Sequence, residues 1–312
     1  MMKTVVLSLA FAMAGLAADQ ELVNMLPAGA RVVAGMNMSQ SLSSPFGRYL
    51  LSQMKTDDDG LRKFIDLTGF DPRRDLRELV VANYDGANPA KGQTLVVARG
   101  NFDAARVRAA FLKDNGRSET FNGFDILTSG EGSGALAFLN GSTAVAGDPP
   151  RVKEALAKSG GRLAGDIQAR ITDMSGRYDA WIFTTTPMSS FTGKLPGNKA
   201  DQTFKTGQLL QGITNANGGV KFGNTIQMDA ELFARSDKDA QALHDVFKFV
   251  TGMIQLNKDN PEAKSEGLAA LVEGLRVSAS GSKVIVNMSV PQSEIEKMID
   301  ASKSGQKRAR VI

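Results

Sequence analysis

The sequence predicts an α+β protein built of two tandem ferredoxin-like (split βαβ) halves, with mainly antiparallel sheets carrying helices on one face. Three observations lead there. Residues 97–111 (VARGNFDAARVRAAF) lie without a gap over residues 233–247 (FARSDKDAQALHDVF), pairing Ala98/Ala234, Arg99/Arg235, Asp103/Asp239, Ala104/Ala240 and Phe111/Phe247. Internal similarity of this kind sets an architecture before any site is considered. The ends of the halves also match, since Gly141-Ser142, a strand and Pro149 parallel Gly281-Ser282, a strand and Pro291. Finally, both halves follow the order strand, helix, two strands, helix, closing hairpin and helix, which contains the split βαβ arrangement. A chain of 312 residues is long for one core and sufficient for two. The expected divisions are a leader at 1–18, a first half at 19–160, a second half at 161–302 and a basic flexible tail at 303–312.

Lys3, the apolar run 5–16 and the small residues Gly15, Ala17 and Ala18 have the form of an export leader, cleaved near Ala17 or Ala18 or kept as an N-terminal anchor. No later stretch approaches the ~20 apolar residues of a membrane span. Pro27-Ala28-Gly29 is a turn before a strand at 32–38, and the polar stretch 39–44 caps a helix at 45–54. A second helix opens at Asp57-Asp58-Asp59-Gly60 and carries Leu61, Phe64, Ile65 and Leu67. Gly69-Phe70-Asp71-Pro72 ends it and starts one further turn.

Strands at 79–84 and 94–99 hold the unbroken apolar runs Leu79-Val80-Val81-Ala82 and Leu95-Val96-Val97-Ala98, the pattern of strands covered on both faces. A helix at 102–113 follows, with Val107, Ala110 and Phe111 at helical spacing. Strands are expected at 121–128, 135–139 and 143–147, then a helix at 149–158 begun by Pro149-Pro150. Ser159-Gly160-Gly161 marks the boundary.

The second half repeats the plan: a strand at 178–185, a Pro187-Met188-Ser189-Ser190-Phe191 loop, a helix at 203–211, and strands at 219–222 and 225–234. Ile226, Met228, Ala230, Leu232 and Ala234 alternate with polar residues, so one side of that sheet should be wet. Helices at 237–256 and 261–272, strands at 275–279 and 283–290, and a helix at 293–302 complete it.

Composition narrows the function classes. The chain has no cysteine, which excludes disulfides, a thiol nucleophile, cysteine-held metal and a lipid anchor on an N-terminal cysteine. The formal charge of +4 is concentrated in Lys303, Lys307, Arg308 and Arg310, read as a solvated terminus. Few aromatic residues accompany it, so no nucleic-acid partner is expected.

The candidate chemical groups resolve into structural roles. His244, the single histidine, sits opposite Arg108 in the internal alignment and reads as a helix flank, without the companions of a zinc site or a catalytic triad. Asp57-Asp58-Asp59 is consecutive where a calcium loop alternates its acids. Gly130 to Gly134 leads into a strand rather than a helix, and so reads as a hairpin connection, not a phosphate loop. Asp103 and Asp239 suit first helical turns, the polar stretches 39–44 and 184–190 suit caps, and Trp181 and Tyr178 suit core and rim. The sequence assigns no catalytic, cofactor-binding or metal-ligating residue.

The leader, Leu26-Pro27-Ala28-Gly29-Ala30, Thr68-Gly69-Phe70-Asp71-Pro72 and Ala98-Arg99-Gly100-Asn101-Phe102-Asp103 together resemble uncharacterised exported bacterial proteins of the domain-of-unknown-function kind, with duplicated α+β halves. The resemblance spans most of the chain beyond the leader. It implies a periplasmic or secreted location and this architecture, and carries no catalytic residue.

The expectation is therefore a non-catalytic envelope protein that binds an unknown protein partner or serves an assembly. One alternative is a carrier of an apolar ligand or lipid, motivated by thirteen methionines and the doubly apolar strands. The other is a hydrolase working with carboxylates alone.

Overall fold

The computed structural model describes residues 20–52, 59–85, 93–130, 132–157, 162–187, 211–256 and 271–309. The expected leader, Asp57 and Asp58, the boundary at 159–161, the loop 188–191, and most of the helices expected at 203–211 and 261–272 lie outside the described residues.

In chain order the elements are α1 (Gln20–Asn24), β1 (Val32–Asn37), α2 (Met38–Ser43), α3 (Pro45–Ser52), α4 (Asp59–Thr68), α5 (Pro72–Asp75), β2 (Leu76–Asn83) and β3 (Thr94–Gly100). There follow α6 (Ala104–Lys113), β4 (Arg117–Phe121), β5 (Phe124–Thr128), β6 (Ala135–Phe138), β7 (Thr143–Gly147), α7 (Pro149–Leu156), α8 (Gly165–Arg177) and β8 (Ala180–Thr184). The remainder is β9 (Ile213–Lys221), β10 (Thr225–Ala234), α9 (Asp237–Leu256), β11 (Leu275–Ser280), β12 (Lys283–Pro291) and α10 (Gln292–Ala309). The protein is α+β, and the strand registers from β1 to β7 and from β9 to β12 are all antiparallel.

Packing divides the chain into two compact units, Met1–Ser43 with Gly47–Phe183, and Ser44–Phe46 with Thr184–Ile312. The first unit continues past the expected boundary because α8 buries Ile171 and Met174 in its core. In this unit the strands lie in the order β8-β1-β2-β3-β7-β6-β5-β4. In the second unit the order is β11-β12-β10-β9. Around the repeated passage the two orders agree: β2-β3-β7-β6 in one, β9-β10-β12-β11 in the other. The first unit adds the β4–β5 hairpin at the edge beyond β6.

Helices do not keep to one face of the first unit's sheet, as the sequence led us to expect. Val80, Ala82, Leu95, Val97, Ala137 and Val145 point to a core shared with Leu22, Val23 and Leu26 of α1, Val152 and Leu156 of α7, and α8. The alternate positions Leu79, Val96, Ala98, Leu136 and Ala146 face the other way, toward Phe64 of α4 and Val107 of α6. A strand apolar on both sides needs cover on both sides, and the doubly apolar runs obtain it.

The second unit behaves as its alternating strand predicts. Ile213, Ala234, Ala240, Leu243 and Val284 form a core beneath α9. The opposite side of β10 is polar, where Lys283 pairs with Glu231 at 3.2 Å and Asn287 donates to Asp229 at 2.6 Å.

Some elements differ from expectation for local reasons. Met38, expected to end the first strand, and most of the stretch 39–44, read as a polar cap, form α2, whose cap is Asn37: its Oδ1 accepts from the Gln40 amide at 2.9 Å. The strand expected at 121–128 is a hairpin, since Asn122 (φ 51°) and Gly123 (φ 85°) make the left-handed pair of a two-residue turn. Residues 303–309, expected to be frayed, continue α10, in agreement with the helix-favouring Gln306, Lys307, Arg308 and Ala309 and the absence of proline.

Candidate functional site

The second face of the first unit's sheet carries the most distinctive feature of the described residues, an apolar cleft. Its floor is Leu79 of β2, Val96 and Ala98 of β3, Leu136 and Phe138 of β6, and Ala144 and Ala146 of β7. Its walls are Phe64 of α4, Phe70 and Pro72 around α5, and Phe102 and Val107 at α6. Its volume is about 260 Å³ and the lining is apolar throughout.

Short-range sequence signals place each wall. Gly69 ends α4 with φ 75°, its amide donating to the Ile65 carbonyl at 2.7 Å, a left-handed stop that a side chain would strain. Asp71 then caps α5, accepting from the Arg73 amide at 3.0 Å. Asp103 caps α6, accepting from the Arg106 amide at 2.9 Å. Arg106 in turn donates to the Asp66 and Leu67 carbonyls at 2.7 and 3.2 Å, tying α6 to the open end of α4.

Four phenylalanines form a continuous rim. Phe70 stacks on Phe102 with centroids 5.0 Å apart and planes at 23°. Phe64 meets Phe70 edge-on at 6.3 Å, and Phe102 meets Phe138 at 5.6 Å. Phe64 is 41% exposed, so the cleft reaches the surface beside α4.

A polar pocket of about 410 Å³ shares the Phe70 and Phe102 walls and is otherwise lined by Gly69, Arg74, Asp75, Asn101, Asp103 and Ala104. Its Arg74 and Asp75 are paired, and Asp71 beside them is paired too. Arg74 clasps Asp75 through two bonds of 2.8 Å, and Arg73 clasps Asp71 at 2.9 and 2.7 Å. These hydrogen bonds hold both carboxyls below the usual carboxylate range, outweighing the opposing effect of desolvation. A general acid needs the reverse displacement, so this pair does not favour the carboxylate-only hydrolase.

The residues singled out from the sequence are scattered and structural. His244 flanks Leu243 on α9, 3.4 Å from both Gln241 and Asp245. Asp239 lies inside the first turn of α9, where Ser236 is the cap that accepts its amide at 3.1 Å. Gly130 to Gly134 joins β5 to β6, Ser129 donating to the Gly134 carbonyl at 3.0 Å. Trp181 and Tyr178 are core residues. Among the described residues no group of three or more His, Asp or Glu side chains is placed to hold a metal ion, and no helix is long and apolar enough to cross a membrane. Sequence reasoning did not identify the cleft. Its signal was there in the doubly apolar runs of β2 and β3 and in the phenylalanines at 64, 70, 102 and 138.

No family model and no curated protein matches the chain. Among solved structures, TP0453 in crystal form III matches with a TM-score of 0.54 at 10% identity, covering 89% of this chain and 97% of that one. Its crystal form IV matches with a TM-score of 0.51, also at 10% identity, covering 92% and 98%. The chain is similar to TP0453 in its α+β fold.

Proposed function

We propose that this chain is an exported, non-catalytic binding protein whose ligand presents a slender apolar chain to the cleft of the first unit. The leader pattern supports export, and the wholly apolar, surface-reaching cleft supports the ligand. A volume of about 260 Å³ falls just below the range usual for drug-sized ligands, which favours an aliphatic chain over a bulky ring system.

The observation that carries the reading is the wholly apolar cleft that reaches the surface beside Phe64. The matching strand orders and the repeated passage support one split βαβ unit copied in tandem. By strand register, Ala98 pairs with Ala144 and Val96 with Ala146 in the first unit, where Leu232 pairs with Val284 and Ala230 with Val286 in the second. Ala98, Ala144 and Ala146 line the cleft, where the larger Leu232, Val284 and Val286 belong to the second unit's core. On β6 the sizes reverse, because Leu136 and Phe138 stand where β11 has Val277 and Ala279, and Phe138 joins the rim. Protein interiors normally close such gaps, so an apolar space that stays open to the surface is suited to a ligand.

Calorimetric titration with 1-alkanols from hexanol to dodecanol tests the proposal. Affinity should rise about fourfold per methylene until the cleft is full, and Ala146→Phe should abolish binding. A flat dependence on chain length, or undiminished binding by the variant, would overturn it.

A further inference from the structure

Independently of the cleft, we infer that the second unit pairs with a second copy of this chain along the outer edge of β11, the two strands running antiparallel about a two-fold axis normal to the sheet. β11 ends the strand order of its unit and is joined to β12. Ser280 and Lys283 face each other across the two-residue Gly281-Ser282 turn, which makes them a hydrogen-bonded pair. Such pairs alternate along an antiparallel ladder, so Ser278 and Arg276 bond to β12 as well. The N–H and C=O of Leu275, Val277 and Ala279 therefore point outward. Arg276 supports this direction: its Nη1 donates to the Leu275 and Glu273 carbonyls, each at 2.9 Å. Among the described residues nothing bonds the outward groups of Val277 and Ala279. An open edge is commonly blunted by proline, a bulge or an inward charge, and Val277 to Ser280 has none of them.

These outward groups select the register. With Val277 opposite Ala279 of the second copy, and the reverse, each pair exchanges both backbone bonds without using a carbonyl that Arg276 already holds. Ser278 then faces its own counterpart on the axis, and Arg276 faces a serine rather than another arginine. Val277 and Ala279 lie on the face that packs on the core beneath α9. The same axis keeps both α9 helices on one face of the joined sheet. α9 packs against β11 and leaves Phe249, Met253 and Leu256 exposed, Leu256 at 86%. An extended peptide would satisfy the strand edge alone, whereas a second copy also brings a helix with an apolar surface alongside.

Sedimentation velocity on the full chain reads the association, and the dimer fraction should rise with concentration between ~1 and ~300 µM. Ala279→Pro removes one outward donor from each copy at a place where an edge strand tolerates proline. It should weaken association by about tenfold or more. Because the chain has no cysteine, single introduced thiols report the register. Ser278→Cys sets two thiols on the axis with Cα atoms about 4.5 Å apart, within disulfide reach, and should cross-link with oxidised glutathione. Ser280→Cys leaves its thiols roughly 13 Å apart along the strands and should not. A chain that stays monomeric throughout, or Ser280→Cys cross-linking as readily as Ser278→Cys, would overturn the pairing. Circular dichroism checks that the proline variant folds; if it does not, the contrast between the two thiol positions decides.

Discussion

Filling the cleft with larger aliphatic side chains should stabilise the protein while destroying its binding. The perturbation is Val96→Leu, Val107→Leu, Ala144→Val and Ala146→Val, four enlargements of side chains that line the cleft. Together they add about six carbons to a space of about 260 Å³. At ~0.8 kcal/mol per buried methylene the ceiling is about 5 kcal/mol. Off-rotamer strain from small-to-large changes takes back ~1–3 kcal/mol. The net expectation is about 2–4 kcal/mol, or roughly 5–15 °C in Tm for a unit of this size. Trp181 is the chain's single tryptophan, and at 5% exposed within the first unit's core its fluorescence in a urea melt reports on this unit. Calorimetry with decanol reads the binding. Introducing the changes singly, Val107→Leu first, separates strain at one position from strain at another. Destabilisation by every single change would mean that the space is not available to side chains. Stabilisation with binding intact would mean that ligands sit elsewhere. Either result would refute the assignment of the cleft.

Two further outcomes follow from the geometry. A methyl group on Gly35 of β1 would collide with the Trp181 ring of the neighbouring β8, so Gly35→Ala should cost about 1–3 kcal/mol in the same melt and shift the tryptophan emission. A variant as stable as the parent would contradict that packing. The second outcome concerns acid. Asp71 and Asp75 have folded-state pKa values below the ordinary 3.8 because the Arg73 and Arg74 guanidiniums hydrogen-bond them. The stability they contribute is present above that ordinary value and is lost as pH falls through their folded values. Thermal melts between pH 2.5 and 6 should therefore drop below about pH 4, and Asp75→Asn should flatten that drop. An unaltered acid profile in the variant would count against the ion pairs.

The sequence made some elements legible and hid others for identifiable reasons. The helix at 237–256 and the strand at 225–234 were read to the residue, because their apolar periods of 3.6 and 2 are long and uninterrupted. Helix α8 was missed although Ile167, Ile171, Met174 and Tyr178 follow a helical period, because it begins just beyond the glycine pair that suggested a boundary. The Asn122-Gly123 turn was legible but lay inside a run that looks continuously strand-like. Helix α2 was not, since Ser39, Ser41 and Ser43 serve caps and turns as readily as a short helix held down by the burial of Met38 and Ser41.

The sequence alone determined that this is an α+β chain, that the strands 79–84 and 94–99 must be covered on both faces, and that cysteine chemistry is absent. Local pattern is enough for these, because periodicity records which side of an element is dry. Only the tertiary structure decided that the second covering layer stands off the sheet and leaves a cleft. That gap is a difference of volumes among Phe64, Val107, Leu136 and Ala146, side chains far apart in the chain whose summed size no local pattern encodes.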